Sequence, residues 1–144
     1  MQVEELMSET VICGTPGTSL QEAARLMKDR DIGALPVVAS NDNRQLVGMI
    51  TDRGITCRTL AEGRNPMELI VEDVMSGGPI FSVHGDTDER DLCQLMEIHQ
   101  VRRMPVVDEG GNCCGIVSQA DLARNAPEHD TAEVLQRISQ PAAA

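Results

Sequence analysis

The chain repeats itself. Leu26-Met27, Ile32 and Pro36-Val37-Val38 return as Leu95-Met96, Val101 and Pro105-Val106-Val107, each 69 positions later. A second block, Gly48-Met49-Ile50-Thr51, returns as Gly115-Ile116-Val117-Ser118 at an offset of 67. The first copy therefore holds two extra residues within the polar stretch Ala39 to Gln45, where a hairpin loop absorbs a length change with little penalty. A duplication within 144 residues predicts a pseudo-symmetric pair of units, neither trusted to fold alone, with functional sites where the copies face each other.

Charge and composition narrow the function classes. A formal charge of −11, one Phe and no Tyr or Trp give neither attraction to a nucleic-acid backbone nor stacking platforms for bases. A small phosphate ligand stays open, because it answers to a few local arginines and amides rather than to total charge. No apolar run reaches the length of about 18 residues that suggests a membrane span, and the start MQVEELMSET lacks a signal-peptide pattern. A soluble, cytoplasmic protein is expected. The five cysteines, at 13, 57, 93, 113 and 114, follow neither a disulfide framework nor a zinc motif. Cys113-Cys114 align with Leu46-Val47 on a predicted strand, one side chain per face. Core filling is the simple reading for them, and a redox or metal role is the alternative.

Local signals give each copy the same elements. Ser19 and Glu22 fit a capping box ahead of a helix whose apolar stripe is Leu20, Ala23, Ala24 and Met27. The twin helix is expected from Asp86 to His99, with Asp86 and Glu89 as its start and Leu92, Leu95, Met96 and His99 buried; His99 reads as a core histidine. The runs Leu35–Ala39 and Met104–Asp108 suit strands, each followed by turn residues and a second strand, Leu46 to Ile50 and Cys113 to Val117. Thr51 and Ser118 then stand as N-caps of a second helix, the first of which stops at Gly63. Val11-Ile12-Cys13 and Ile80-Phe81 are expected to add a leading strand, and Met67 to Val74 a connecting turn. Beyond Pro127, Val134, Leu135 and Ile138 predict a helix over Thr131 to Ser139, on its own chain or on a partner subunit, with Pro141 to Ala144 frayed. The fold class is α/β (α+β), two β-α-β-β-α repeats over residues 1–65 and 66–126, with a C-terminal helix and tail over 127–144.

That order, with Val71-Glu-Asp-Val-Met75, His99-Gln-Val-Arg-Arg-Met-Pro-Val-Val-Asp108 and Gly115-Ile-Val-Ser-Gln-Ala-Asp-Leu122, resembles the cystathionine β-synthase (CBS) domain. Copy one matches through Glu5-Leu-Met7, Asp31-Ile-Gly-Ala-Leu-Pro-Val-Val38 and Gly48-Met-Ile-Thr-Asp-Arg53. Asp31 to Pro36, His99 to Arg103 and Pro127-Glu128-His129 look like small stand-alone pairs of the bacterial hypoxic-response type. The resemblance implies a non-catalytic module of two packed repeats with two clefts for adenosine-containing ligands, AMP, ATP, NAD(H) or S-adenosylmethionine, and no required cofactor. It also implies a homodimer, a role in signalling or stress response, and output through an effector protein the sequence does not name.

The ligand motif that the resemblance implies is Gly, two apolar residues, Thr or Ser, two more, then Asp, with the hydroxyl near phosphate and the carboxylate on ribose. Copy two has it whole, as Gly115, Ser118 and Asp121; copy one has Thr51 but Gly54 in the Asp position. Asp52, two positions earlier, points to another helix face. Arg102-Arg103 likewise align with Gly33-Ala34. One competent cleft is expected, using Ser118 and Asp121 with Arg102 or Arg103 at the phosphate, Thr51 marking the weaker one. Ser118 with Asp121 is equally an ordinary helix start, and the arginines could pair with surface carboxylates. A ligand-independent interaction or stress protein is thus the alternative function. No nucleophile and base pair, metal spacing or phosphate loop supports an enzyme.

Overall fold

The computed structural model describes residues 1–8, 12–77, 80–125 and 128–140. In chain order the elements are α1 (Val3–Leu6), α2 (Leu20–Arg30), β1 (Ala34–Val38), β2 (Leu46–Thr51), α3 (Asp52–Arg58), α4 (Val71–Val74), β3 (Val83–His84), α5 (Glu89–His99), β4 (Arg103–Val107), β5 (Cys113–Ser118), α6 (Gln119–Asn125) and α7 (Glu128–Ile138). Two compact units result, one from Val11–Ile80 with Gly110–Cys113, the other from Met1–Thr10, Phe81–Glu109 and Cys114–Ala144. The units therefore cut across the sequence repeats, because each repeat's lead turn joins the core of the other copy.

The lead turns repeat at an offset of 68, Val3-Glu-Glu-Leu-Met-Ser8 against Val71-Glu-Asp-Val-Met-Ser76. In both, an acid three residues into the turn accepts from the residue before it: Gln2 N–H donates to Glu5 at 2.7 Å and Ile70 N–H to Asp73 at 2.9 Å. The two apolar side chains of each turn then point into a core. Val71 and Val74 pack with Leu20, Ala23, Met27, Leu35, Val37 and Ile50 in the copy-one unit. Val3 and Leu6 pack with Leu92, Met96, Met104, Val106, Val117 and Leu122 in the copy-two unit. Each such side chain contributes about 1.5–3 kcal/mol by its burial.

After each turn the chain runs beside a hairpin strand. Ser76 and Met49 exchange backbone hydrogen bonds at 2.9 and 3.1 Å, and Ser8 and Ile116 do so at 3.0 and 3.4 Å. The approach leaves no room for a side chain on the neighbouring residue. A Cβ on Gly48 would lie 2.9 Å from both the Met75 sulfur and the Ser76 carbonyl oxygen, and one on Gly115 would strike the Met7 sulfur.

The hairpins form as predicted. β1 and β2 are antiparallel, with Pro36 opposite Met49 and an irregularity at Val37/Val38; β4 lies between β3 and β5. β3 is parallel to β4, Val83 opposite Val106. Copy one reduces that leading strand to a single bridge, in which Gly14 N–H donates to the Pro36 carbonyl and Val38 N–H to that of Gly14, both at 2.9 Å. Pro36 therefore sits where the ladder toward the leading segment ends, and its missing N–H leaves no bond unmade.

The leading strands fall later than the apolar residues predict, at Gly14 and Val83-His84 rather than Ile12-Cys13 and Ile80-Phe81; Val11 is outside the described residues. On α2, capped by Ser19, Ala24 is exposed and Leu26 half-buried instead. α5 starts at Glu89 with Asp88 as N-cap, accepting from Arg90 N–H at 2.9 Å, so Asp86 plays no capping part. His99 is half-buried and stacks on Phe81 with ring centres 3.6 Å apart, rather than filling the core. α3 gives way to a short 3-10 turn over Leu60–Glu62, closed by Gly63 at φ 73°. α7 begins three residues before the predicted Thr131, and Ile138 joins the copy-two core of its own chain. Pro127, the Val134 side chain and the tail 141–144 are outside the described residues.

Gly48→Ala is expected to lower stability by about 1–3 kcal/mol, since the obstructing Ser76 oxygen is backbone. Urea unfolding checks this: the midpoint should fall at unchanged m-value, and an unmoved midpoint would refute the close approach.

Candidate functional site

The motif in copy two is a strand end turning into a helix. β5 finishes at Ser118 and α6 begins at Gln119. Ser118 Oγ accepts from Asp121 N–H at 3.2 Å, while Asp121 Oδ2 accepts from Ser118 N–H at 2.8 Å and from the Ser118 hydroxyl at 3.0 Å. This is a reciprocal capping box, each residue satisfying the other's early donor. The other carboxylate oxygen, Oδ1, accepts from Arg124 Nη2 at 2.7 Å. The Asp121 side chain is only 13% exposed, that of Arg124 68%. The carboxylate is thus held firmly on its inner side and loosely on its outer one.

Copy one keeps the cap without the acid. Thr51 Oγ1 accepts from Gly54 N–H at 2.9 Å. Asp52 is exposed and turns its carboxylate to its neighbour's Arg53 N–H at 2.7 Å, so it does not replace the missing Asp. Gly54 leaves this helix start with no carboxylate at the position of Asp121.

The backbone around both starts is the same. Gln119 N–H donates to the Arg102 carbonyl at 2.9 Å, and Asp52 N–H to that of Gly33 at 3.0 Å. In copy two this bond ties the arginine pair to the residue next to Ser118. Arg103 opens β4 and is half-buried; Arg102 is exposed. Among the described residues neither guanidinium has a carboxylate partner. Gln119 adds a group the sequence reading missed: its Oε1 is buried without a hydrogen-bond partner among the described residues. The available signal was its alignment with Asp52, an amide where the other copy has an acid. Since α6 spans only seven residues, attraction of a phosphate would rest on the guanidinium groups more than on a helix dipole.

The structure brings Ser118 and Asp121 together and binds the Arg102 backbone beside them. Thr51 belongs to the other unit. A separate groove of about 680 Å³ runs between α5 and α7, lined by Arg90, Cys93, Gln94, Glu97, Glu133 and Arg137 among others, and includes none of the five predicted site residues. Among the described residues no three His, Cys, Asp or Glu converge as metal ligands, and no helix is long and apolar enough to cross a membrane.

The CBS domain family matches residues 3–57 and 71–128. The chain belongs to the CBS domain family. Its two matched segments are the two copies, each including its lead turn. The CBS domain-containing protein YhcV of Bacillus subtilis is 40% identical over 134 residues, 90% of this chain and 89% of that protein. Hypoxic response protein 1 of Mycobacterium tuberculosis is 36% identical over 139 residues, covering 96% and 94%. A crystal structure of Hypoxic Response Protein I with two coordinated zinc ions superposes with a TM-score of 0.78 at 35% identity, over 88% of this chain and all of that one. The CBS domain pair of protein MJ0100, in complex with 5'-methylthioadenosine and S-adenosyl-L-methionine, gives 0.76 at 26% identity over 86% and 98%.

Ser118→Ala removes one half of the capping box. It is expected to cost about 0.5–2 kcal/mol, measured by urea unfolding, whatever ligand is or is not present. No loss would show that the box does not form.

Proposed function

We propose that this CBS protein is a non-catalytic regulatory module whose copy-two site binds an adenosine-containing ligand. Asp121 accepts from the ribose hydroxyls, and Arg102 or Arg103 meets the phosphate where one is present; the Thr51 site of copy one is the weaker. The observation that carries this reading is a pair of guanidiniums without a carboxylate partner among the described residues, anchored through the Arg102 carbonyl beside an intact Ser118–Asp121 motif. The adenosine compounds bound to the MJ0100 pair support the ligand class. A bound ligand acts by favouring one arrangement of the module over another in proportion to its difference in affinity. The output goes to a separate effector or through a homodimer, in a cytoplasmic setting and, by likeness to the hypoxic response protein, under stress.

A second reading, a ligand-independent interaction protein, is favoured by two observations. Both Asp121 oxygens are already engaged within the chain, and Gly54 removes the acid from copy one.

Thermal melting with AMP, ATP, NADH and S-adenosylmethionine separates the two. At 100 times its dissociation constant a ligand adds about 2.7 kcal/mol, a shift of several degrees for a chain of this size. Asp121→Asn should remove the shift for every ligand. Arg102→Gln with Arg103→Gln should remove it for the phosphate-bearing ligands and spare S-adenosylmethionine. If no compound moves the midpoint, the ligand-independent reading stands.

A further inference from the structure

Two of the five cysteines meet across the fold, in a place unrelated to the Ser118 site. Cys13 lies just before Gly14, which bridges to β1, and Cys113 opens β5; both belong to the copy-one unit. Arg44, in the loop between β1 and β2, holds them together. Its Nη2 donates to Cys13 Sγ at 3.3 Å, its Nε donates to the Cys113 carbonyl at 3.4 Å, and its own carbonyl accepts from Cys113 N–H at 2.8 Å. The Cys113 thiol is the neighbouring group that does most to lower the Cys13 pKa. Cys13 is half-buried, whereas Cys113 is 3% exposed.

We propose that Cys13 and Cys113 form an oxidation-responsive thiol pair, in which Cys13 attacks a hydroperoxide and Cys113 resolves the product as a disulfide. Cys13 thiolate takes the terminal oxygen of the hydroperoxide to become a sulfenic acid, the O–O bond breaking and the remainder leaving as alkoxide or hydroxide, which then takes up a proton. The Cys113 sulfur next attacks the Cys13 sulfur, its proton leaves with the hydroxyl as water, and the S–S bond forms. Two thiols are oxidised by two electrons and the peroxide is reduced.

The roles follow from placement. A reactive cysteine needs a cationic donor, partial exposure and a neighbouring resolving thiol, and Cys13 has all three. Hydrogen bonding from Cys113 and the Arg44 guanidinium, against some burial, lower its pKa from 9.0 to about 7. Cys114 shows the contrast: it is exposed, yet burial of its sulfur and the charge of Asp108 push its thiol up, and Sγ–H turns to the Val106 carbonyl at 3.5 Å. Because Cys113 faces inward and Cys114 outward, the adjacent pair is poorly placed to close on itself.

The test uses the full chain with Cys114→Ser, so that a cross-linked peptide assigns Cys113 without ambiguity. Limiting hydrogen peroxide should remove two hydrogen atoms from the intact mass, and non-reducing peptide maps should join the Cys13 and Cys113 peptides. With Cys113→Ser added, Cys13 should accumulate as sulfenic acid and be trapped by dimedone. Iodoacetamide labelling of Cys13 should rise through pH about 7, as its thiolate replaces the thiol, and Arg44→Gln should move that rise to higher pH. The proposal is overturned if the disulfide joins other cysteines, if Cys13 passes to sulfinic acid without a cross-link, or if Cys13 reacts no faster than exposed Cys57.

Discussion

The close approach at Gly48 and Gly115 is the constraint on which the rest of the structure hangs. Each glycine lets the strand after a lead turn lie against a hairpin strand, where a single methyl group would collide with backbone or sulfur. Only then do Val71 and Val74, or Val3 and Leu6, reach the cores that need them. Because the turns are exchanged between copies, a repeat cut out of the sequence lacks part of its own core. Two buried side chains at about 1.5–3 kcal/mol each are a large share of a domain stability of about 5–15 kcal/mol. A single sequence repeat is therefore not a self-sufficient folding unit.

On that shared backbone the copies differ where chemistry would be. The hydrogen bond from the first helical residue to the strand-leading carbonyl is present in both, at 3.0 Å to Gly33 and 2.9 Å to Arg102. The side chains around it diverge. Copy one offers Gly33, Ala34, Thr51 and Gly54; copy two offers Arg102, Arg103, Ser118 and Asp121. Folding requires the backbone bond and the cap, which Thr51 and Ser118 both provide. Nothing in folding requires two arginines that have no carboxylate partner among the described residues, and their presence on one copy alone separates the two sites.

Local physics made much of this legible in the sequence. Ser19, Thr51, Ser118 and Gly63 mark helix ends because a cap acts within a few residues of itself, and the hairpins follow from strand propensity and turn chemistry. Errors came where several local signals competed or where tertiary contact decided. Asp86, Asp88 and Glu89 all suit a helix start, and the bond from Arg90 N–H selects Asp88. Ile12 and Phe81 are apolar enough for strands, yet the ladder pairs Gly14 and Val83. The exchange of lead turns has no local signature, since the period of VEEL and VEDV shows an apolar face without saying which core receives it. Ser118, Asp121 and the arginines could be picked out by comparing the copies. The same comparison sets Gln119 against Asp52 without showing that its Oε1 is buried, and the Cys13–Arg44–Cys113 cluster carries no such signal, being formed by residues distant in sequence.

Capping and ligand binding by Asp121 are compatible once the two sides of its carboxylate are considered separately. Oδ2 is committed to Ser118 through two hydrogen bonds, so it fixes the orientation of the group before any ligand arrives, which lowers the ordering cost of binding. Oδ1 accepts from Arg124, whose side chain is 68% exposed, and such a solvated pair contributes about 0–1 kcal/mol. A ribose hydroxyl can replace or join that contact with little loss, because an ionised carboxylate oxygen accepts two hydrogen bonds. The cap then serves as the positioning device for the acceptor, and the same residue stabilises the empty fold and presents one free face to a ligand.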